Sequence, residues 1–373
     1  MKVLFLIRSL AVGGAERQLV NLAKGLHERG HEVAVAVYYG DGLLQDELDD
    51  LRISVLDLEK SGRWDVVPFL MRLVRTVRDF RPEVIYGFLG TASILTVLMK
   101  LFFPRMLVVW GVRASNVELD FYDWFARTMY RAERWLSRFA DLIICNSRAG
   151  LEHAAANGFP RSKITVIPNG TDIDRFQFDA KARDVVRREW RVEKNELLVG
   201  TVARLDPMKG HLTVLQAAAL LRQDRQDVRF CCVGDGPAQY ADRLCQASKR
   251  LGLDGVILWP GMRRDMPAVY SALDLLVLPS MGEGHPNVVT EAMACGVMCI
   301  VTDVGDAAYI VGECGIVVPP SSPALLRSGM EEGLRRVRLD RVNVARQCRS
   351  RIANHYSVGA LVDRTVAAIS ECA

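Results

Sequence analysis

Four charged side chains in the second half of the chain have the types and spacing needed to hold an anionic, sugar-like ligand. Arg204 and Lys209 form an R-x4-K pattern, and Glu283 and Glu291 form an E-x7-E pattern. Two cations can neutralise a diphosphate, arginine through its planar fork and lysine as a point charge. Each carboxylate can accept several hydrogen bonds from sugar or ribose hydroxyls. A lone charged residue is usually solvated surface, so the prediction depends on the four acting together.

The segment around the two glutamates predicts a strand, a loop and a helix. The strand ends at Pro279, Glu283 lies between two glycines, and a proline suits the first turn of the helix that carries Glu291. The amides of Asn287 and Val288 then lack partners within the helix and form an anion site. Because Glu291 lies about two turns into the helix, the two carboxylates can contact different parts of one elongated ligand.

Two glycine-containing turns are further candidates for ligand contact. Gly13 and Gly14 separate the first predicted strand from the first helix, where helix amides can receive a phosphate. The alternative is a tight turn that needs positive φ. The G-x-G-x-x-G fingerprint is missing, which counts against NAD or FAD. The GDGP segment at 234–237 is interpreted as a turn before a helix.

Strands and helices must alternate along the whole chain to position these residues. Short apolar runs separated by helical patterns are typical of parallel sheets covered by helices on both faces. We predict strands at 2–8, 33–38, 52–56, 84–87, 107–110, 142–145 and 164–167, and again at 197–203, 228–233, 256–259, 275–279, 298–302 and 315–318.

The predicted fold class is therefore α/β, with two Rossmann-like, doubly wound domains facing each other across a cleft. The first domain spans 1–170, and a C-terminal helix at 356–373 packs back on it. Residues 171–196 alternate in charge without a strong strand signal and are interpreted as a linker. The second domain spans 197–355.

Composition narrows the class of protein. The 373 residues suffice for two domains, and 48 basic against 44 acidic residues leave a net charge of +4, too small for a dedicated nucleic-acid binder. Nine cysteines without a C-x-x-C pair favour free thiols in a reducing cytoplasm. The amino terminus lacks a signal-peptide pattern, and the most apolar stretch, 94–110, contains charges and a proline, so we predict no membrane-spanning segment.

The order and spacing of these motifs resemble those of the retaining glycosyltransferases of family 4, which have the GT-B fold. The resemblance covers nearly the whole chain and is carried by GGAER at 13–17, GTVARLDPMKG at 200–210, EGHPNVVTEAMACG at 283–296 and TDVGD at 302–306. Each motif alone is weakly specific, whereas their combined order is specific.

The resemblance implies a role for each matched residue. Arg204 and Lys209 hold the donor diphosphate and stabilise the departing nucleoside diphosphate. Glu283 lies against the donor sugar, Glu291 binds the ribose, and Gly14 lies close to the phosphate and the reacting centre. The linkage forms with retention and without a bound metal, so neither metal nor cofactor is expected.

Three positions depart from the family pattern. Many members have a histidine after the fourth strand, whereas residues 85–90 here contain none. His285 stands where phenylalanine is common, and Tyr309 stands where glutamate is common. Contacts to the sugar or the base are therefore expected to differ from those of other members.

The first domain is expected to hold the acceptor. Between positions 60 and 138 it interleaves basic and aromatic residues, including Arg63, Arg72, Arg75, Arg78, Arg81, Arg105, Arg113, Arg127, Arg131, Arg134 and Arg138 with Trp64, Phe69, Phe102, Phe103, Trp124, Phe125 and Trp135. Such a face suits peripheral contact with anionic lipid on the inner side of a membrane, and a polyprenyl-diphosphate-linked sugar is a fitting acceptor. The alternative is that the aromatic residues are core and the arginines are solvated.

The leading functional hypothesis is transfer of a hexose or N-acetylhexosamine from a nucleotide sugar to a lipid-linked or glycan acceptor in polysaccharide or glycan synthesis. Uridine is favoured as the base because it is commonest in the family. One alternative is a UDP-sugar epimerase of the same fold, and another is a nucleotide-sugar-binding module without activity. Nucleic acid is not an expected partner.

Overall fold

The structure is a computed structural model that describes residues 1–11, 13–40, 42–62, 64–113 and 124–372, with the side chains of 124–127 excepted. The chain divides into two compact units. One consists of Met1–Gly170 together with Val358–Ala373, and the other of Thr171–Ser357.

A seven-stranded parallel sheet forms the centre of the first unit. Its strands are β1 (Lys2–Ile7), β2 (Glu32–Val37), β3 (Ser54–Asp57), β4 (Val84–Phe88), β5 (Leu107–Val112), β6 (Leu142–Cys145) and β7 (Ile164–Val166), in the order β3-β2-β1-β4-β5-β6-β7. In β1, Val3, Phe5 and Ile7 pack in one hydrophobic cluster, while Leu4 and Leu6 pack in another. Both faces of the strand are buried, which explains the uninterrupted apolar run in the sequence.

Six helices follow the strands of this unit in sequence. They are α1 (Gly14–Glu28), α2 (Asp46–Asp49), α3 (Val67–Phe80), α4 (Gly90–Met99), α5 (Trp124–Leu136) and α6 (Arg148–Ala156). The loops from strand to helix carry Gly13, Trp64 and Leu89. These residues therefore lie at the carboxyl edge of the sheet, where ligands of parallel sheets bind.

The second unit repeats this plan with a six-stranded parallel sheet. Its strands are β8 (Leu197–Val202), β9 (Val228–Val233), β10 (Ile257–Gly261), β11 (Leu275–Leu278), β12 (Met298–Thr302) and β13 (Ile316–Val318), in the order β10-β9-β8-β11-β12-β13. Its helices are α7 (Ala180–Glu189), α8 (His211–Asp224), α9 (Ala238–Arg250), α10 (Met266–Ala272), α11 (Asn287–Ala294), α12 (Ala307–Val311) and α13 (Pro323–His355). The α/β class and the two Rossmann-like units are confirmed.

The interpretation of residues 171–196 as a linker is wrong, because they belong to the second unit and include α7. Two arginines of α7 bind the carboxylate of Asp274, which is fully buried: Arg183 at 2.7 Å and Arg187 at 3.1 Å. Arg341 of α13 contacts the same carboxylate. Charged residues that look like part of a solvated linker in the sequence therefore neutralise a buried carboxylate. Burying that carboxylate without them would cost free energy of folding.

The last helix, α14 (Val358–Ser370), belongs to the first unit and packs against α1. Leu361 and Val362 are buried, and the Val362 side chain lies over Gly25, where a Cβ atom would come within 2.6 Å of it. Among the helices that the structure describes, none combines the length and the apolar character needed to cross a bilayer.

Candidate functional site

The two cations lie in the loop after β8. Asp206 caps the short turn Pro207–Lys209 by accepting a hydrogen bond from the Met208 amide at 2.9 Å. The Asp206 carboxylate also pairs with Arg204 at 2.6 Å, and the Arg204 side chain is 71% exposed. The GDGP turn after β9 supports this loop, because the Leu205 amide donates a hydrogen bond to the Asp235 carbonyl at 2.8 Å.

The loop after β8 and the loop after β11 approach each other closely. Gly210 adopts φ +68°, and a Cβ atom there would lie 2.1 Å from the Pro279 carbonyl oxygen, so only glycine fits. The Met281 amide donates to the Met208 carbonyl at 2.8 Å. Because β8 and β11 are neighbours in the sheet, their carboxyl ends bring the two sequence motifs together.

Lys209 and Glu283 meet at this junction. The Lys209 Nζ atom lies 2.6 Å from Glu283 Oε1, and the Ser280 hydroxyl donates to the same oxygen at 2.7 Å. The Glu283 side chain is only 11% exposed. An ammonium has three N–H donors, so Lys209 can still donate to phosphate oxygens while it holds Glu283. Glu283 Oε2, which accepts no hydrogen bond from the described residues, can accept one from a sugar hydroxyl.

A third loop, after β12, fixes the backbone around Glu283. The Thr302 hydroxyl donates to the Ser280 carbonyl at 2.6 Å, and the Asp306 amide donates to the Gly284 carbonyl at 3.0 Å. The carboxylate is therefore positioned from three adjacent strands rather than by a freely moving loop.

Glu291 is held by a different part of the unit. Tyr270 of α10 donates its hydroxyl to Glu291 Oε2 at 2.7 Å. Burial, together with the nearby Glu291 charge, raises the pKa of Tyr270 well above its usual value, so the phenol remains a donor. Asn287 and Val288 are the first two residues of α11, where backbone amides have no acceptor within the helix.

The residues that depart from the family pattern have contrasting environments. His285 is buried, and its ring centroid lies 5.8 Å from that of Tyr356. Tyr309 is exposed on α12. At the end of β4, where the expected histidine is missing, Leu89 adopts φ +70°, an unusual backbone angle for a residue with a side chain.

In the first unit, Gly14 is the first residue of α1. Gly13 has φ −157° and ψ 164°, which is extended backbone. The alternative that this residue serves a tight turn with positive φ is therefore wrong for Gly13. The helix start that the anion-binding interpretation requires is present.

The structure brings Lys209 and Glu283 into direct contact, places Arg204 on the same loop and holds Glu291 from a neighbouring helix. Sequence reasoning missed the roles of Ser280 and Tyr270. Ser280 could have been found as the hydroxyl that follows the predicted strand. Tyr270 carries no local signal, because its contact with Glu291 depends on how α10 packs against α11.

Comparison with known proteins agrees with this architecture. The family model described as Glycosyltransferase Family 4 matches residues 12–175, and the one described as Glycosyl transferases group 1 matches residues 196–335. These matches, with the two Rossmann-like units, define the class of protein as a glycosyltransferase of the GT-B fold.

Individual relatives give the same result. A UDP-Gal:alpha-D-GlcNAc-diphosphoundecaprenol alpha-1,3-galactosyltransferase of Escherichia coli is 30% identical, over 87% of this chain and 85% of the relative. A 2-deoxystreptamine glucosyltransferase of Streptomyces kanamyceticus is 33% identical, over 52% of this chain and 49% of the relative. The solved structure of HepE from Anabaena in complex with UDP-glucose is 26% identical, with a TM-score of 0.84 over 100% of both chains. The chain belongs to the group 1, family 4 glycosyltransferases.

Proposed function

We propose that this glycosyltransferase transfers a hexose or N-acetylhexosamine from a UDP-sugar to a lipid-linked or glycan acceptor in polysaccharide or glycan synthesis. The observation that carries the proposal is the Lys209–Glu283 contact, because a cation that can bind phosphate lies beside a carboxylate that can accept a hydrogen bond from a sugar hydroxyl. UDP-glucose in the HepE complex and the diphosphoundecaprenol-linked acceptor of the E. coli relative support the donor and acceptor classes.

In the proposed mechanism, the chain supplies positioning and charge. Lys209 and Arg204 stabilise the negative charge that develops on the leaving diphosphate, and the α11 amides of Asn287 and Val288 add partial positive charge. Glu291 orients the ribose and Glu283 orients the sugar. The acceptor attacks from the face that the diphosphate leaves, and the leaving phosphate oxygen takes the acceptor proton, so the configuration is retained. Because the two cations neutralise the diphosphate, the reaction needs no metal.

The test is an assay of UDP release from UDP-glucose, UDP-galactose and UDP-N-acetylglucosamine with synthetic undecaprenyl-diphosphate sugars. We expect release to require an acceptor, to continue in EDTA, and to give a product whose proton NMR spectrum shows the donor's anomeric configuration. Conversion of donor to an isomeric UDP-sugar without acceptor would identify an epimerase. UDP binding without any turnover would identify an inactive module, and an inverted product would reject retention.

We also propose that the first unit contacts a membrane through the exposed side of α3 and the loop before it. Trp64 is 89% exposed, and Val66, Val67 and Met71 beside it are exposed as well. Arg75 and Arg78 on α3 add exposed cations. An amphipathic face of this kind suits an anionic lipid surface. Phe69 lies in the core, as the alternative interpretation holds, whereas Arg63 and the side chains of Trp124, Phe125 and Arg127 lie outside the described residues.

The membrane proposal predicts selective sedimentation with anionic vesicles. The chain is expected to sediment with vesicles of phosphatidylglycerol and phosphatidylcholine but not with phosphatidylcholine alone. Replacing Trp64 and Met71 by serine should weaken this binding at least about ten-fold, because two apolar side chains no longer insert. The matched control is Trp135→Ser, which removes an exposed tryptophan from α5 instead of α3. Equal binding to both vesicle types contradicts the proposal.

A further inference from the structure

His285 lies in the loop that carries Glu283, which spans residues 279–286 between β11 and α11 and is called the Glu283 loop below. The residue is buried, with only 7% of its surface exposed. Before it, the Gly284 carbonyl accepts the hydrogen bond from the Asp306 amide, and after it, Pro286 is the N-cap of α11. The place that the His285 side chain occupies therefore sets the path of the backbone next to Glu283.

Tyr356, at the end of α13, provides the surface against which His285 packs. The centroids of the two rings lie 5.8 Å apart, and their planes are inclined by 47°. Rings at this separation in a tilted arrangement attract each other. Tyr356 also packs against the hydrophobic core of the second unit. The ring contact therefore joins the Glu283 loop to the end of α13 and, through it, to the core.

Three hydrogen bonds hold Tyr356 in place. Its amide donates to the Ile352 carbonyl at 2.8 Å, and its carbonyl accepts from the Thr171 amide at 2.7 Å. Its hydroxyl donates to the Tyr309 carbonyl of α12 at 3.2 Å. Thr171 is the first residue of the second unit and Tyr356 is the last but one, so the support is built where the chain enters and leaves that unit. A ring fixed by its backbone and its hydroxyl can hold a neighbouring side chain in one position.

Helix α11, which follows the Glu283 loop, has separate supports. The Thr171 hydroxyl donates to the Thr290 hydroxyl at 2.6 Å, and Arg349 donates to the last carbonyl of the helix at 2.7 Å. A displaced His285 ring is therefore expected to disturb Glu283 more than the groups of α11. In the proposed function Glu283 orients the sugar, whereas α11 carries the groups that bind the ribose and the diphosphate.

We propose that His285 and Tyr356 are positioning residues for Glu283: the Tyr356 ring fixes the His285 ring, and His285 holds the Glu283 loop where its carboxylate can reach the donor sugar. The inference rests on the proposed function and adds to it a pair of residues that supports sugar transfer without supporting nucleotide binding. Neither ring touches the donor, and both act through Glu283.

The experiment measures UDP binding by calorimetry and UDP release from the most rapidly used of UDP-glucose, UDP-galactose and UDP-N-acetylglucosamine. His285→Ala and Tyr356→Ala should each lower kcat/KM about ten-fold, while the dissociation constant of UDP stays within about two-fold. His285→Phe and Tyr356→Phe keep a ring and should stay within about three-fold of the original rate. The control, Phe178→Ala, removes an exposed aromatic residue of the same unit and should change neither quantity.

A second measurement tests whether Tyr356 acts through Glu283. Adding Tyr356→Ala to Glu283→Ala should lower the remaining rate less than about two-fold, because the carboxylate that the ring positions is already gone. A further ten-fold loss in this background would overturn the inference. Equal losses of UDP binding and of turnover in the single alanine variants would also overturn it, since they indicate a general loss of structure.

Unchanged turnover in both His285→Ala and Tyr356→Ala likewise shows the inference to be wrong, while UDP binding and turnover by the original chain leave the proposed function standing. If the original chain binds no UDP and uses none of the three sugars, the proposed function fails, and the inference fails with it. Should Tyr356→Ala not fold, His285→Ala and its combination with Glu283→Ala decide the outcome.

Discussion

Replacing Lys209 by alanine is expected to lower turnover of the nucleotide sugar at least 10²-fold, ~2.7 kcal/mol of activation free energy. The Lys209 Nζ atom lies 2.6 Å from the Glu283 carboxylate, which we propose binds the sugar, and its remaining N–H groups can stabilise the departing diphosphate. The loss should appear mainly in kcat, because the negative charge grows as the bond to the sugar breaks. Steady-state UDP release measures the effect.

The matched control for this variant is Lys249→Ala, which removes an exposed lysine from α9 of the same unit. It should leave kcat unchanged. The Lys209→Ala chain should remain folded by circular dichroism, because Ser280 still donates to the Glu283 carboxylate. A Lys209→Ala rate equal to that of Lys249→Ala removes Lys209 from the mechanism.

Replacing Glu283 by alanine is expected to lower turnover by a similar factor, at least 10² or ~2.7 kcal/mol. Among the residues that the structure describes, Glu283 is the only hydrogen-bond partner of the Lys209 ammonium. We also propose that it accepts a hydrogen bond from the sugar. Removing the carboxylate should leave the Lys209 side chain without its anchor and the sugar without a hydrogen-bond acceptor. The reacting groups are then no longer held in position for transfer. Single-turnover measurement of UDP release separates this loss from any change in product release.

The control is Glu313→Ala, which removes an exposed carboxylate from the same unit. The double variant Lys209→Ala, Glu283→Ala tests whether the pair acts as a unit. If it does, the double variant should be at most about ten-fold slower than either single variant, because each single change already disables the pair. Fully multiplicative losses, or a Glu283→Ala rate near that of Glu313→Ala, contradict the paired role.

Apolar runs predicted the position of every strand in the two sheets, because strands buried on both faces need continuous apolar sequence. The differences lie at strand ends. The fifth strand was predicted to stop at Trp110 but continues to Val112, since Gly111 is paired with Phe88 on one side and Ile144 on the other. The third strand starts at Ser54 rather than at Arg52, because Arg52 adopts φ +58° and forms a turn.

The residues of the candidate site could be chosen from the sequence, but their contacts could not. Lys209 and Glu283 are far apart along the chain, and they meet because β8 and β11 are neighbours in the sheet. Strand order is a property of the whole fold. The linker error has the same origin, since the charges of α7 have meaning only once Asp274 is known to be buried beneath them.

The first unit is built from two separate stretches of chain, Met1–Gly170 and Val358–Ala373. This arrangement affects the order in which the units can fold during translation. Domains of a nascent polypeptide generally fold in the order in which they emerge from the ribosome. Here the apolar surface that Leu361 and Val362 cover stays open until their segment has been translated, although translation of that unit began first. The unit translated in between, Thr171–Ser357, is continuous and can complete its core earlier. The amino-terminal lobe is therefore expected to complete its core last.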